Sequence, residues 1–209
     1  KFGYLSIRQK NSDYLFYLAN LCGVLLRSGK FTMALKLMSS SIPDLKKTNS
    51  FYNKIGFASF YIKTLVYNKM GKNAVSYAST FLDAYKKEIF ATRWHLFFAA
   101  YAQALLSAEK YSRLLAIAKR YNLLALEKKF IDKTVYMPIL LWHNEVALYM
   151  EGRQSKEKLE ETIYSSASVL LQNKYKAGRI NELLDILSIT IPSEIAIIRS
   201  KLNLKPDRA

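Results

Sequence analysis

The chain is predicted to be all-helical, on three observations. Only seven Gly and four Pro interrupt its 209 residues. Almost no segment alternates apolar and polar residues with the period of two that a half-buried strand requires. Apolar residues instead recur at steps of three and four, which lines one face of a helix. With 51% hydrophobic and 23% charged residues, there is apolar surface enough for a core.

The elements follow in order. In DYLFYLANLCGVLLRSG, the residues Leu15, Leu18, Leu21, Cys22, Leu25 and Leu26 fall on one face, and Gly29 stands at the C-terminal cap. FTMALKLM is a second, shorter helix, ended in SSSIPDL where Pro43 cannot continue it. Thr48, Asn49 and Ser50 form a cap cluster ahead of FYNKIGFASFYIKTLVYNKMG, which pairs with NAVSYASTFLDAYKK. Thr92 opens RWHLFFAAYAQALLSA, and KYSRLLAIAKRYNLLALEKK answers it. Asp132 or Thr134 opens a helix through VYMPILLWHNEVALYMEG, with Pro138 near its first turn, where a missing N–H costs little. Ser155 caps KEKLEETIYSSASVLLQNKY, and INELLDILSI and SEIAIIRSKL close the chain.

These helices are expected to pair as hairpins over roughly 13–46, 49–87, 92–129 and 132–175, with capping helices at 178–204. One helical-repeat domain, 1–209, is expected, either a fragment of a longer polypeptide or a processed product, because the first residue is Lys1 rather than Met. The predicted turns, Gly29, Gly71, Glu109 and Gly152, are 42, 38 and 43 residues apart. That is one period of roughly 40, in the range of helical solenoids.

Two units share their spacing: Leu18, Leu21, Cys22, Leu25, Gly29, Phe31, Ala34, Met38 and Phe98, Tyr101, Ala102, Leu105, Glu109, Tyr111, Leu114, Ala118. Large residues on a first helix, a small one beside them, a turn, an aromatic and then a small residue let two antiparallel helices approach closely. This resembles the tetratricopeptide-repeat superfamily over Tyr14 to Asn173, in a degenerate form with lengthened units. NKMGKNAVSYA lacks the aromatic after its Gly, and YMEGRQSKEKLEE lacks both aromatic and Ala. The resemblance implies a right-handed α-solenoid of four to five antiparallel hairpins. HEAT-like packing, which tolerates longer units, is the structural alternative.

Charge points to function. Lys and Arg number 32 against 16 acidic residues, for +16, and residues 1–82 hold 12 basic residues but only Asp13 and Asp44, for +10. Such a field attracts acidic partners. Lys36, Lys46, Lys47, Lys54, Lys63 and Lys72, interleaved with Tyr52, Tyr61 and Tyr67, are expected to form a basic surface. The resemblance implies a groove made by the first helix of each hairpin, lined by Arg27, Tyr61, Asn68, Lys69, Gln103, Trp142 and Tyr149. Rings there would grip apolar side chains while Lys, Asn and Gln bond backbone or carboxylates. The expected function is therefore a non-enzymatic protein-interaction module for a protein or peptide segment of acidic character. Binding of nucleic acid or other phosphate backbones through the basic N-terminal half is the alternative. The last helix, with Ile195, Ile197, Ile198 and Leu202, is expected either to cap the stack or to mediate self-association.

The chain's only Trp and His residues form two dipeptides, Trp94-His95 and Trp142-His143. Trp94 lies 14 residues before Ala108 and Trp142 lies 10 before Gly152, so they are one helical turn out of register and read as packing residues. Metal binding is not expected, since His95, His143, Cys22 and Glu145 show no ligand spacing. Neither a Gly-flanked nucleophile nor a phosphate loop is present. No enzymatic activity and no cofactor are therefore expected. The longest nearly uncharged run, Trp94 to Ala108, is about 15 residues, short of the ~20 a membrane span needs. A single cysteine fits a reducing compartment, and the chain is expected in the cytoplasm.

Overall fold

The computed structural model describes residues 14–46, 48–130, 139–172 and 177–204. Among these, eleven α-helices and one short 3-10 turn account for the regular structure, with no strand. They are α1 (Tyr14–Arg27), α2 (Phe31–Ser39), the 3-10 turn Ile42–Lys46, α3 (Phe51–Tyr67), α4 (Gly71–Ala91), α5 (Trp94–Ser107), α6 (Tyr111–Arg120), α7 (Leu123–Phe130), α8 (Ile139–Met150), α9 (Lys156–Gln172), α10 (Ala177–Leu187) and α11 (Pro192–Lys201). The all-α expectation holds. The chain forms two compact units, Lys1–Ala104 and Leu105–Ala209, with the division inside α5.

Local chemistry sets most boundaries. Ser50 caps α3 by accepting from the Asn53 N–H at 3.3 Å, and Ser155 does the same for α9 through Lys158 at 3.3 Å. Both are side-chain partners for amides the first turn leaves orphaned. Pro192 occupies the first turn of α11, where its missing N–H is no loss. The expected answer to α5 is two helices rather than one. Asn122, at φ 52°, breaks KYSRLLAIAKRYNLLALEKK between α6 and α7 by taking the left-handed conformation that Asn tolerates. The predicted helix start at Asp132 or Thr134, with Pro138, lies outside the described residues.

The turns correct the repeat register. Gly71 is not a turn residue but the buried first residue of α4, and the left-handed position is Lys69, at φ 60°. The left-handed residues that end the first helices are Gly29, Lys69, Glu109 and Gly152, so successive spacings are 40, 40 and 43. Each ends its helix in the same pair of hydrogen bonds. Lys30 N–H reaches Leu25 O at 2.9 Å and Gly29 N–H reaches Leu26 O at 3.1 Å. Met70 and Lys69 repeat this on Leu65 and Val66, Lys110 and Glu109 on Leu105 and Leu106, and Arg153 and Gly152 on Leu148 and Tyr149. This pairing satisfies two of the carbonyls a helix end leaves open. Packing positions follow with the same period: Leu18, Ala58, Phe98; Cys22, Ile62, Ala102; Ala34, Ala74, Leu114; Met38, Ala78, Ala118, all buried. The fourth unit departs in its turn, because α9 starts at Lys156, four residues after Gly152, whereas α2 starts at Phe31, two after Gly29.

In the first unit, α1 and α2 pack on each other and both pack on α3, which packs on α4. Tyr61 meets Tyr77 near the α3–α4 turn while Phe51 meets Tyr85 far from it, as two antiparallel helices require. Leu15, Leu18, Cys22, Leu26, Ala34, Met38 and Phe57 form the core where α1, α2 and α3 meet. Close approach there depends on Gly23, since a Cβ built on it lies 3.0 Å from Phe60 Cε1. Gly23→Val is expected to force that ring away and to destabilise the protein by about 1–3 kcal/mol, read as a lower denaturation midpoint at unchanged m-value. An unaltered midpoint would mean that α1 and α3 do not pack this closely. Helix α5 is buried from Trp94 to Leu106 at every position but His95, as expected of a helix apolar on all sides.

In the second unit, α8 packs against α6, α7, α9 and α10, and α11 packs on α9 and α10. Ile195 and Ile198 are both buried at 0% exposure. Of the stripe expected to cap or to self-associate, Ile195 and Ile198 pack inside this unit, while Ile197 and Leu202 are half-buried. Polar ties link its helices: Lys201 Nζ to Glu160 at 3.0 Å, Tyr149 hydroxyl to Glu194 at 3.0 Å, Arg199 to Asp185, and Ser112 Oγ to Glu151.

Candidate interaction surface

The sequence-derived groove residues divide by environment. Lys69 is exposed, but at the turn apex. Arg27 is exposed on α1, with its guanidinium turned back toward Gly23. Asn68 is a packing bracket, because its amide donates both to Thr64 O at 2.8 Å and to Phe31 O at 3.0 Å, tying α3 to the start of α2. Gln103 is 4% and Trp142 1% exposed, so neither ring nor amide faces solvent. Trp142 Nε1 donates to Ser166 Oγ of α9. Tyr149 is engaged by Glu194, whose acceptance of the phenol proton raises the phenol above its ordinary range.

Tyr61 is the groove residue that the structure places among like neighbours. Its ring lies 4.8 Å from Tyr77, nearly edge-on, and Tyr77 leads to Phe81 at 6.2 Å. Phe81 contacts Tyr85 at 4.9 Å, Phe51 at 6.4 Å and Phe97 of α5 at 5.6 Å. The ladder exists because α3 and α4 run antiparallel, with Tyr77, Phe81 and Tyr85 at four-residue steps on α4 facing Phe51 and Tyr61 of α3. Its deep members, Phe81 and Phe97, are buried, while Phe51, Tyr61, Tyr77 and Tyr85 are half-buried. The Tyr77 hydroxyl is itself buried without a hydrogen-bond partner, and desolvation, then the neighbouring Tyr61 and Tyr85, push its ionisation up strongly.

Cations sit on the rings. Lys54 Nζ lies 5.6 Å above the Tyr85 centroid, Lys63 Nζ 5.5 Å from Phe60, and the Arg93 guanidinium 3.6 Å above Tyr52, which is 43% exposed. Such pairs fix a cation without neutralising it. Lys36, Lys46 and Lys72 are exposed, Lys54 and Lys63 are half-buried, and Lys47 lies outside the described residues. The Arg93–Tyr52 pair and the Tyr77–Phe81–Tyr85 continuation escaped sequence reading. Spacing within α4 alone, with Tyr77, Phe81 and Tyr85 at four-residue steps, was the available signal.

The chemistry-bearing residues are otherwise occupied. Cys22 is buried, bonded to Thr64 Oγ1 at 3.1 Å, and burial pushes its thiol up against the lowering effects of Thr64 and Lys63. His143 Nδ1 bonds Ile139 O one turn back. His95 lies edge-on to Trp94, and burial, then Arg93, lowers its pKa. Among the described residues no group of three His, Cys, Asp or Glu side chains is placed to hold a metal ion, and no helix is long and apolar enough to cross a membrane.

No family model, curated protein or solved structure matches the chain.

Proposed function

We propose that the chain is a protein-interaction module without enzymatic activity, built as a right-handed tetratricopeptide-like solenoid. It binds an acidic segment of a partner protein along the aromatic and cationic strip of the first unit. The observation that carries this reading is the conjunction of half-buried rings, Phe51, Tyr61, Tyr77 and Tyr85, with Lys54 over Tyr85, three of these rings falling within residues 1–82, which carry +10. Rings at a partly covered surface grip apolar side chains of a peptide, and ring-bound cations remain charged for its carboxylates. The period of 40 residues in three units supports the repeat architecture, since stacked hairpins of one kind present such strips as extended surfaces.

Rings with cations also suit single-stranded nucleic acid, so the test separates the two. The probes are a peptide of about 20 residues alternating Glu with Phe and Leu, and a mixed-sequence single-stranded DNA, titrated at about 50 and 200 mM salt. The peptide is expected to bind, and Lys54→Glu combined with Lys72→Glu to weaken it by about tenfold, with a modest salt effect. DNA binding that falls by orders of magnitude between the two salts, without peptide binding, would replace this reading with the phosphate-backbone one. Failure of both probes would end it.

A further inference from the structure

The solvent side of α6 carries positive charge without an apolar anchor. Between residues 110 and 128 the exposed charged residues are Lys110, Arg113, Lys119, Arg120 and Lys128, and the other exposed positions are Ser, Asn and Ala. At about 100° per residue, Ser112, Arg113, Ala116, Lys119 and Arg120 share about 120° of the helix circumference. Ala116 lies on the midline, with Arg113 and Arg120 along one edge and Ser112 and Lys119 along the other. Leu114 and Ala118 turn the opposite way and are buried. Arg120 lies 5.3 Å from the Tyr121 ring, a contact that orients the guanidinium and leaves its charge. Of the neighbouring carboxylates, Glu151 is held by Ser112 and by Arg153 at 3.3 Å, Glu127 is buried, and Glu109 stands in the turn ahead of the helix. The repeat itself does not require these cations. Forty residues earlier Asn73, Ser79 and Thr80 stand in place of Arg113, Lys119 and Arg120, and eighty earlier Met33, Ser39 and Ser40 do.

We propose that this face of α6 binds the phosphate backbone of duplex nucleic acid. What the face lacks selects the partner. A protein segment draws most of its affinity from aromatic or aliphatic anchors buried in the contact, and a helix lying on a membrane sinks an apolar side into it. Single strands are held by stacking on exposed rings. The outer face of α6 offers none of these, whereas neutralising phosphates requires cations alone. From Lys110 to Arg120 the helix runs about 15 Å, a length over which a duplex carries roughly nine phosphate charges. That density is enough to engage Lys110, Arg113, Lys119 and Arg120 together, and small Ala116 between them lets a backbone approach closely. Contacts of this kind position a duplex without reading its bases, so the binding is independent of sequence. This face belongs to the second unit and the aromatic strip to the first, and either proposal stands if the other fails.

The test titrates the full chain with a mixed-sequence DNA duplex of about 30 base pairs at salt concentrations from about 50 to about 200 mM. Four phosphate contacts give an expected slope of log K against log salt of about −3.6, hence affinity about 100-fold weaker at the top of that range. Arg113→Gln combined with Arg120→Gln is expected to weaken binding by about tenfold or more at the lowest salt and to bring the slope to about −1.8. Helix content is expected to be unchanged, since both positions are exposed. A protein of +16 attracts polyanions through net charge alone. Lys36→Gln combined with Lys72→Gln therefore removes as much charge from exposed positions on α2 and α4, and is expected to change affinity by about twofold or less. Equal losses in the two variants overturn the proposal, because binding then follows net charge and not α6. A duplex left unbound at the lowest salt overturns it too, as does a single strand of the same length held more tightly than the duplex. Poly-glutamate, or vesicles of phosphatidylserine and phosphatidylcholine, bound in preference to the duplex and lost in the Arg113 and Arg120 variant also overturn it, assigning the face to an acidic polypeptide or to a membrane.

Discussion

Trp142→Ala is expected to destabilise the second unit by about 3–5 kcal/mol, lowering its thermal midpoint by roughly 10 °C or more. The ring is 1% exposed on a helix packed against four others, and its indole N–H is held by Ser166 of α9. Alanine removes the largest fully buried side chain and leaves a void that rigid neighbouring helices refill only in part. Trp142→Phe keeps much of the volume and loses the N–H, so a smaller loss is expected, and a double-mutant cycle with Ser166→Ala reads the hydrogen bond alone. Tyr164→Ala on α9, at 38% exposure, is the control and is expected to stay within about 0.5 kcal/mol of the parent. A Trp142→Ala protein as stable as its parent, yet unable to bind a partner, would return the residue to the role of surface anchor.

Glu127 is expected to make the protein more stable in mild acid than at neutral pH. Its side chain is 4% exposed on α7, and burial raises the carboxyl from 4.5 to about 7. Below pH 4.5 folded and unfolded chains both carry the proton, and the group contributes nothing to the difference. Between 4.5 and about 7 only the unfolded chain releases it, so stability falls as pH rises, and above about 7 the penalty is constant. The span corresponds to roughly 3 kcal/mol. His95 acts in the opposite sense, because its lowered pKa costs stability as pH falls through the unfolded value near 6.5. The informative quantity is therefore the difference between the parent and Glu127→Gln in denaturant midpoints, followed from mild acid to mild base on either side of that window. The variant is expected to gain stability above about pH 7 and little below pH 4.5. Parallel profiles would show that Glu127 is solvated or paired.

The helices were legible because their apolar residues recur at helical steps and because Ser50, Ser155 and Pro192 punctuate them in the usual chemistry. The turns were legible only where glycine marked them. Gly71 drew attention because glycine tolerates positive φ, yet the left-handed residue is Lys69, and glycine instead sits buried at the head of α4. Lys69 and Glu109 show why composition misleads here: flanking helices that pack closely impose the turn, and the local cost of a side chain with positive φ, about 1–2 kcal/mol, is carried by tertiary structure. The clue lay in the spacing between Gly29 and Glu109, whose midpoint is Lys69. The groove was less legible. Periodicity reports which residues share a helix face but not whether a second layer covers it, and Gln103 and Trp142 lie on helices buried on nearly every side. Cation–ring pairs such as Arg93 over Tyr52 join residues far apart in sequence and leave no local trace.

The strict spacing of the first three left-handed turns has a consequence for how this chain can change in length. One residue inserted within α3 would rotate everything after it by about 100° about the helix axis, swinging Thr64 away from Cys22 and Asn68 away from Phe31. The two additional residues of the fourth turn, Gln154 and Ser155, rotate nothing, because they fall where the backbone has already left one helix and not yet begun the next. Loops after the left-handed residue are thus the joints at which the polypeptide can be lengthened, spliced or permuted, whereas the helices tolerate gain or loss only in whole periods.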